Sequence, residues 1–125
     1  MRLLALLAAL AAWALPATPP AAAEVPRVES WGHDSFAELG DGTTFERHTP
    51  VTVAGLTAAN TTSPAAGGGH GLALLSSGAL RAWGDNSVGR LGNGSTTNSG
   101  TPLAVRTGIP AITLVSAGGL FSLAA

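Results

Sequence analysis

The sequence predicts an all-β protein built from a repeated unit and preceded by an export signal. Three observations predict it. A pattern of Trp, Gly, Ser, Leu and Pro is written twice, 52 residues apart, in a chain of only 125. Beyond the first two dozen residues no stretch of useful length carries helical apolar spacing, so the apolar residues point to short strands. The chain also holds 17 Gly and 8 Pro, which break it into short runs with turn chemistry between them.

The front of the chain is the exception to the β pattern. Met1-Arg2 gives a short positive start, Leu3 to Leu15 is an uninterrupted apolar run, and Pro16 to Ala23 is small and Pro-rich. An apolar run of this length reaches about 20 Å as a helix, short of the roughly 30 Å hydrocarbon core. Residues 1–23 are therefore expected to be a secretory signal peptide, cut after Ala23 to leave Glu24 at the amino terminus. A secreted, periplasmic or extracellular location follows.

The repeat occupies the rest. Trp31-Gly32-His33-Asp34-Ser35 and Leu39-Gly40-Asp41-Gly42 return as Trp83-Gly84-Asp85-Asn86-Ser87 and Leu91-Gly92-Asn93-Gly94, and Thr49-Pro50 returns as Thr101-Pro102. Laying residues 31–53 on 83–105 without a gap gives 10 identities in 23 positions. Several are Trp, Gly and Pro, the types that fix backbone shape, so a structural unit is being repeated. The first copy spans about 28–66, the second about 67–117, and a third starts at about 118–125.

In the second copy His70 to Leu75 is a short apolar run, Ser76-Ser77-Gly78 is a turn, and Leu80 to Trp83 is a second strand, together a β-hairpin. Asn86, Gly89, Gly92, Asn93 and Gly94 cluster where the chain must turn sharply. Leu103 and Val105 after Pro102 predict another short strand, and Ile112 to Val115 a further one before Gly118-Gly119.

These motifs resemble the RCC1 (regulator of chromosome condensation) repeat. Its unit runs Gly-Gly-x-His-Ser-Leu-Ala-Leu, a Gly turn, Trp-Gly-x-Asn, Gly-Gln-Leu-Gly-x-Gly and a later Pro. Gly68-Gly69-His70-Gly71-Leu72-Ala73-Leu74, Gly78, Trp83-Gly84-Asp85-Asn86, Gly89-Arg90-Leu91-Gly92-Asn93-Gly94 and Pro102 follow that order. The resemblance covers residues 28–125 and implies blades of an RCC1-like β-propeller of the secreted bacterial type. The first copy departs from it at Ala37, where the family has Gly, and at Asp34, where it has Asn, so its turn is expected to be less regular. Propellers have four to eight blades, and about two copies fit here. Val28 to Trp31 reads as the second half of a hairpin and Leu120 to Ala125 as a first half, so a fragment of a longer propeller, or a short protein assembling head to tail, is expected.

Composition narrows the function. Without residues 1–23 the chain has 5 Arg, no Lys and 7 acidic residues. That is too sparse a basic set to neutralise a nucleic-acid backbone, so no nucleic-acid partner is expected. There is no Cys, hence no disulfide. His33, Asp34 and Ser35 carry the residue types of a nucleophilic triad, but neighbours in an extended segment point to opposite faces. His33, His48 and His70 lack metal-ligand spacing, and their equivalents Asp85, Gly100 and Phe121 repeat none of them. His70 is expected to bond a neighbouring backbone group. No helix follows Gly67-Gly68-Gly69 to make a phosphate loop, and these glycines read as a close backbone crossing. Trp31 and Trp83, at equivalent strand ends, read as blade packing. Asn60-Thr61-Thr62 and Asn93-Gly94-Ser95 match glycan acceptors, the second also a turn.

No catalytic, cofactor-binding or metal residue is therefore assigned, and no enzyme is expected. The reading is a secreted, non-catalytic binding scaffold for a protein or cell-surface partner. The alternatives are a structural or adhesive segment of a larger surface protein, or an accessory part of an enzyme whose active site lies in other blades. The resemblance also implies inhibitors of extracellular enzymes such as β-lactamases.

Overall fold

The computed structural model describes residues 26–125, so the expected signal peptide, residues 1–23, lies outside the described residues. Eight strands form three antiparallel sheets, with no helix among the described residues. β1 (Arg27–Gly32) pairs with β2 (Arg47–Thr57). β3 (Thr61–Ala66), β4 (His70–Leu75), β5 (Leu80–Gly84) and β6 (Ser99–Ala104) make one four-stranded meander in chain order. β7 (Val115–Ala117) pairs with β8 (Ser122–Ala124). By the 52-residue equivalence β1–β2 corresponds to β5–β6. By an offset of 51, β7–β8 corresponds to β3–β4, and the amide of Gly67 donating to the His70 carbonyl at 2.8 Å has its match in Gly118 donating to Phe121 at 2.8 Å.

β4 is the apolar run expected of a strand covered on both faces. Leu72 and Leu74 face a cluster with Leu80, Ala82, Leu91 and Ile112, backed by Val115, Ala117 and Ala124. Ala73 faces the other way with Trp83, onto Val53 and Leu56 of β2. The four-stranded sheet is thus packed between the two flanking pairs. Proline sits only where a ladder tolerates a missing N–H: Pro50 in β2, Pro64 in β3 and Pro102 in β6 all lie on edge strands.

The β4–β5 hairpin forms as the sequence predicts, in register from His70↔Gly84 to Leu74↔Leu80, with Gly78 at φ +83° in its turn. Two expectations need correction. The strand expected at Ile112 to Val115 begins only at Val115. The amides of Thr113 and Leu114 both donate to the Ala125 carbonyl, which interrupts the ladder, and Ile112 drops into the core instead. The first-copy turn is also as regular as the second: Ala37 adopts φ +63° where Gly89 has +76°. Ala54 donates to the Gly40 carbonyl at 2.9 Å as Arg106 does to Gly92 at 2.9 Å. β3 carries only Thr, Ser, Pro and Ala, too little apolar alternation to announce a strand, and in β2 the alternation is confined to Val51-Thr52-Val53.

Candidate binding surface

Two loops, residues 33–46 and 85–98, leave equivalent strands and are dense in polar side chains with defined partners. Each is organised from inside. The Asn86 side-chain oxygen accepts the Leu91 amide at 3.0 Å, while its Nδ2 donates to Asn93 Oδ1 and to the carbonyls of Ser95 and Thr97. Asp34 repeats only the first of these bonds, accepting the Leu39 amide at 2.9 Å. Its Oδ2 is buried without a partner, and burial above all, with Asp41 and Glu38 nearby, raises its carboxyl above the ordinary range. Asp41, in contrast, is lowered: the Thr43 amide and hydroxyl and the Arg47 guanidinium, 2.9 Å away, outweigh its desolvation.

At the outside of each loop three equivalent residues are linked. In the second copy Asp85 accepts the Ser87 amide at 2.8 Å and pairs with Arg90 at 3.0 Å, and Arg90 reaches onward to the Gly119 carbonyl. The Ser87 amide above all lowers the Asp85 carboxyl. In the first copy the trio is His33, Ser35 and Glu38. The Ser35 hydroxyl lies 2.9 Å from His33 Nε2, and His33 Nδ1 lies 2.9 Å from Glu38 Oε1. Glu38 Oε2 accepts the Phe36 amide at 2.7 Å. Asp34 points into the loop interior, away from His33 and Ser35, so these three adjacent residues form no relay. His33 and Ser35, two apart, lie on one side, and the turn at Ser35-Phe36 brings their side chains into contact. The carboxylate completing the trio is Glu38, which a search of adjacent residues could not find.

His70 is buried and bonds a side chain, not the backbone group expected: its Nε2 lies 2.8 Å from the Ser122 hydroxyl, which in turn donates to the Arg90 carbonyl at 2.8 Å. Burial, then the Arg90 charge, lowers the imidazole below its ordinary range. His48 pairs with Glu46 on the surface. The glycine crossing is present. The Gly68 amide donates to the Gly118 carbonyl at 3.2 Å, and a Cβ on Gly67 would lie 2.5 Å from that oxygen. Asn60 and Asn93 are both turn residues, Asn60 bonding Thr57 and Gly55, and Asn93 bonding Ser95.

Trp83 and Trp31 part company. Trp83 is 4% exposed, folded over Gly71 and against Gly40, and its indole donates to the Glu38 carbonyl at 2.8 Å. Trp31 is 65% exposed, so blade packing holds for one tryptophan only. The loop covering Trp83 belongs to the preceding copy, and the described residues hold no equivalent loop over Trp31. Trp31, His33, Glu38, Val53 and His70 instead line a cleft of about 490 Å³. Exposed apolar side chains also recur on the loops: Phe36 and Val88 stand at equivalent positions, 50% and 59% exposed, and Phe45 is 70% exposed.

The comparisons with known proteins agree with this architecture. The Regulator of chromosome condensation (RCC1) repeat pattern matches residues 27–74, and a second form of it residues 65–90. The human E3 ubiquitin-protein ligase HERC2 is 38% identical over 79 residues, 63% of this chain and 2% of HERC2. Human Protein RCC2 is 34% identical over 95 residues, 75% of this chain and 18% of RCC2. The chain thus spans under a fifth of the length of either relative. Among solved structures, yeast Prp20p (Saccharomyces cerevisiae), described with its binding to Gsp1p and histones, matches with a TM-score of 0.65 and 28% identity over 78% of this chain and 25% of that one. Human WBSCR16 matches with a TM-score of 0.64 and 26% identity over 78% of this chain and 26% of that one.

Proposed function

Since the chain belongs to the RCC1 repeat family, we propose that it is a secreted, non-catalytic binding scaffold whose turn loops hold a protein or cell-surface partner. The observation that carries this reading is the loop surface. Phe36, Val88 and Phe45 are held on loops fixed from inside by Asp34, Asn86, Asp41 and Asn93, and yet remain exposed. Large apolar side chains kept in water on rigid turns are what a partner buries. Protein binding by relatives supports it, since the Prp20p work names Gsp1p and histones and a second yeast structure has Kap60 bound to RCC1. The acidic balance and absence of Lys disfavour a nucleic-acid partner.

The reading is tested by immobilising the full chain and capturing proteins from secreted and envelope extracts, beside a Phe36→Ser, Phe45→Ser, Val88→Ser variant. The expected result is a captured protein that the variant loses at unchanged melting temperature. Identical capture by both forms overturns the loop assignment. Exported material is expected to begin at Glu24, and terminal sequencing that finds Met1 overturns secretion by a cleaved signal.

A further inference from the structure

We propose that Ser35 is a nucleophilic site that accepts an acyl group from an activated ester, with His33 as its base and Glu38 as the positioning residue. The geometry is a relay. The hydroxyl is 2.9 Å from His33 Nε2, and Nδ1 is 2.9 Å from Glu38 Oε1. A proton on Nδ1, donated to the carboxylate, leaves the Nε2 lone pair facing the hydroxyl. The carboxylate is itself fixed, because its other oxygen accepts the Phe36 amide at 2.7 Å and its side chain is only 13% exposed. A nucleophile, a base within hydrogen-bond reach and a third group orienting the base are the parts such a site requires.

The second copy makes the assignment specific. At the equivalent positions Asp85, Ser87 and Arg90 bind the same loop, but the Asp85 carboxyl is held low by the Ser87 amide and also by its hydroxyl, which makes it a weak base, and Arg90 holds no lone pair to accept a proton. Exchanging Asp for His at position 33 therefore does two things. It puts an imidazole in place of a weakly basic carboxylate beside the serine hydroxyl, and it leaves the Ser35 amide without a hydrogen bond among the described residues. That amide is a donor for the oxygen of an attacked carbonyl. One donor is fewer than a full oxyanion hole, whose loss of a single member slows reactions by about 10²–10³-fold. A positioned base contributes about 10²–10⁴-fold. The expected chemistry is consequently slow acylation of Ser35, favoured for donors with an apolar group that the neighbouring cleft beside Trp31 and Val53 can take.

In the step, Ser35 Oγ forms a bond to the acyl carbon and its proton passes to His33 Nε2. The carbonyl then re-forms and the bond to the leaving oxygen breaks. An alkoxide leaving group takes the proton from the imidazolium; a phenolate departs as the anion and the imidazolium returns its proton to water. The product is an ester on Ser35.

The experiment uses the full chain with p-nitrophenyl acetate and reads acetylation residue by residue by peptide mass spectrometry. Ser87 serves as the reference inside the same molecule, so the comparison needs no variant. Ser35 is expected to acetylate at least about tenfold faster than Ser87. His33→Gln is expected to remove that advantage, and its melt to stay unchanged because the His33 side chain is 63% exposed. Glu38→Gln is expected to weaken it and Glu38→Asp to restore part, which a merely structural role does not explain. Equal rates at Ser35 and Ser87, an advantage undiminished in His33→Gln, or acetyl found on His33 alone would each overturn the proposal. None of these outcomes touches the loop-capture test above.

Discussion

Loops 33–46 and 85–98 share a backbone and differ in what fills it. Both are held by a side-chain oxygen accepting the amide five residues on, at Asp34 and Asn86, and both close with an equivalent carbonyl, Gly40 or Gly92, accepting from the segment that follows the loop, from Ala54 or Arg106. Inside the second loop an amide nitrogen feeds two carbonyls and Asn93; inside the first a carboxyl oxygen has nothing to accept. The junctions between copies differ in a related way. The Glu38 and Arg90 carbonyls are equivalent, and each receives a hydrogen bond from the following copy. Arg90 receives it from the Ser122 hydroxyl, Glu38 from the Trp83 indole. Gly71 stands where the third copy has Ser122, and any Cβ there would run into the Trp83 ring. Loss of the hydroxyl and inward folding of the indole are one exchange. The difference teaches that the repeat conserves the acceptor while the donor is replaceable, provided the neighbouring residue makes room.

The largest break in this comparison is Trp83→Ala. It removes a ring that is 4% exposed together with the hydrogen bond to Glu38, and is expected to cost about 3–5 kcal/mol. Trp31→Ala, at the equivalent position but 65% exposed, is expected to leave the melting temperature nearly unchanged. Equal effects from the two substitutions, measured by thermal denaturation of the full chain, would show that Trp83 is not the element joining the copies.

How much of this was legible follows from where the information lies. The β4–β5 hairpin was readable because its turn, its apolar run and its register are all local, from His70 to Gly84. The glycine crossing was readable because only a missing side chain allows such an approach, even though its partner lies 50 residues on. The fates of Trp31 and Trp83 were not readable. Both sit in the same local pattern, and what distinguishes them is a covering loop from another copy. The His33–Ser35–Glu38 trio was hidden for a different reason: it depends on a turn at Ser35-Phe36, and no residue there announces one as Gly89 does in the second copy.

A middle-sized effect sharpens the contrast inside the loops. Asp34→Asn returns a donor to the place where Asn86 feeds its carbonyls. It is expected to stabilise the chain by about 1–3 kcal/mol, the range for relieving a buried unsatisfied polar group. The pH dependence carries a sign. The Asp34 carboxyl is raised in the folded chain, so the unfolded chain ionises first, and stability is lost as pH rises from the ordinary value of 3.8 through the raised one. In Asp34→Asn that loss disappears. His70 acts oppositely: its folded value is lowered, so stability falls as pH drops below 6.5, in both forms. Chemical denaturation across pH 4–7, roughly the span of these two ordinary values, separates the two, because only the Asp34 contribution vanishes with the substitution.

The smallest expected effect tests how the first turn stays regular. Ala37 holds φ +63° where Gly89 holds +76°, and the bond from Gly40 to the Ala37 carbonyl matches that from Gly92 to Gly89. For an L-residue with a Cβ the left-handed region is about 1–2 kcal/mol unfavourable. Part of that is offset, because glycine loses more backbone entropy on folding and because the Ala37 methyl is buried, 3.5 Å from the point where a Cβ on Gly100 would stand. Ala37→Gly is therefore expected to stabilise the chain by no more than about 1 kcal/mol, and Gly89→Ala to destabilise it by a similar amount. The two substitutions exchange the same residue types at equivalent positions, so opposite shifts in melting temperature test one mechanism twice. Destabilisation by both would show that the buried methyl of Ala37, packed against the following copy beside Gly100, outweighs its backbone strain.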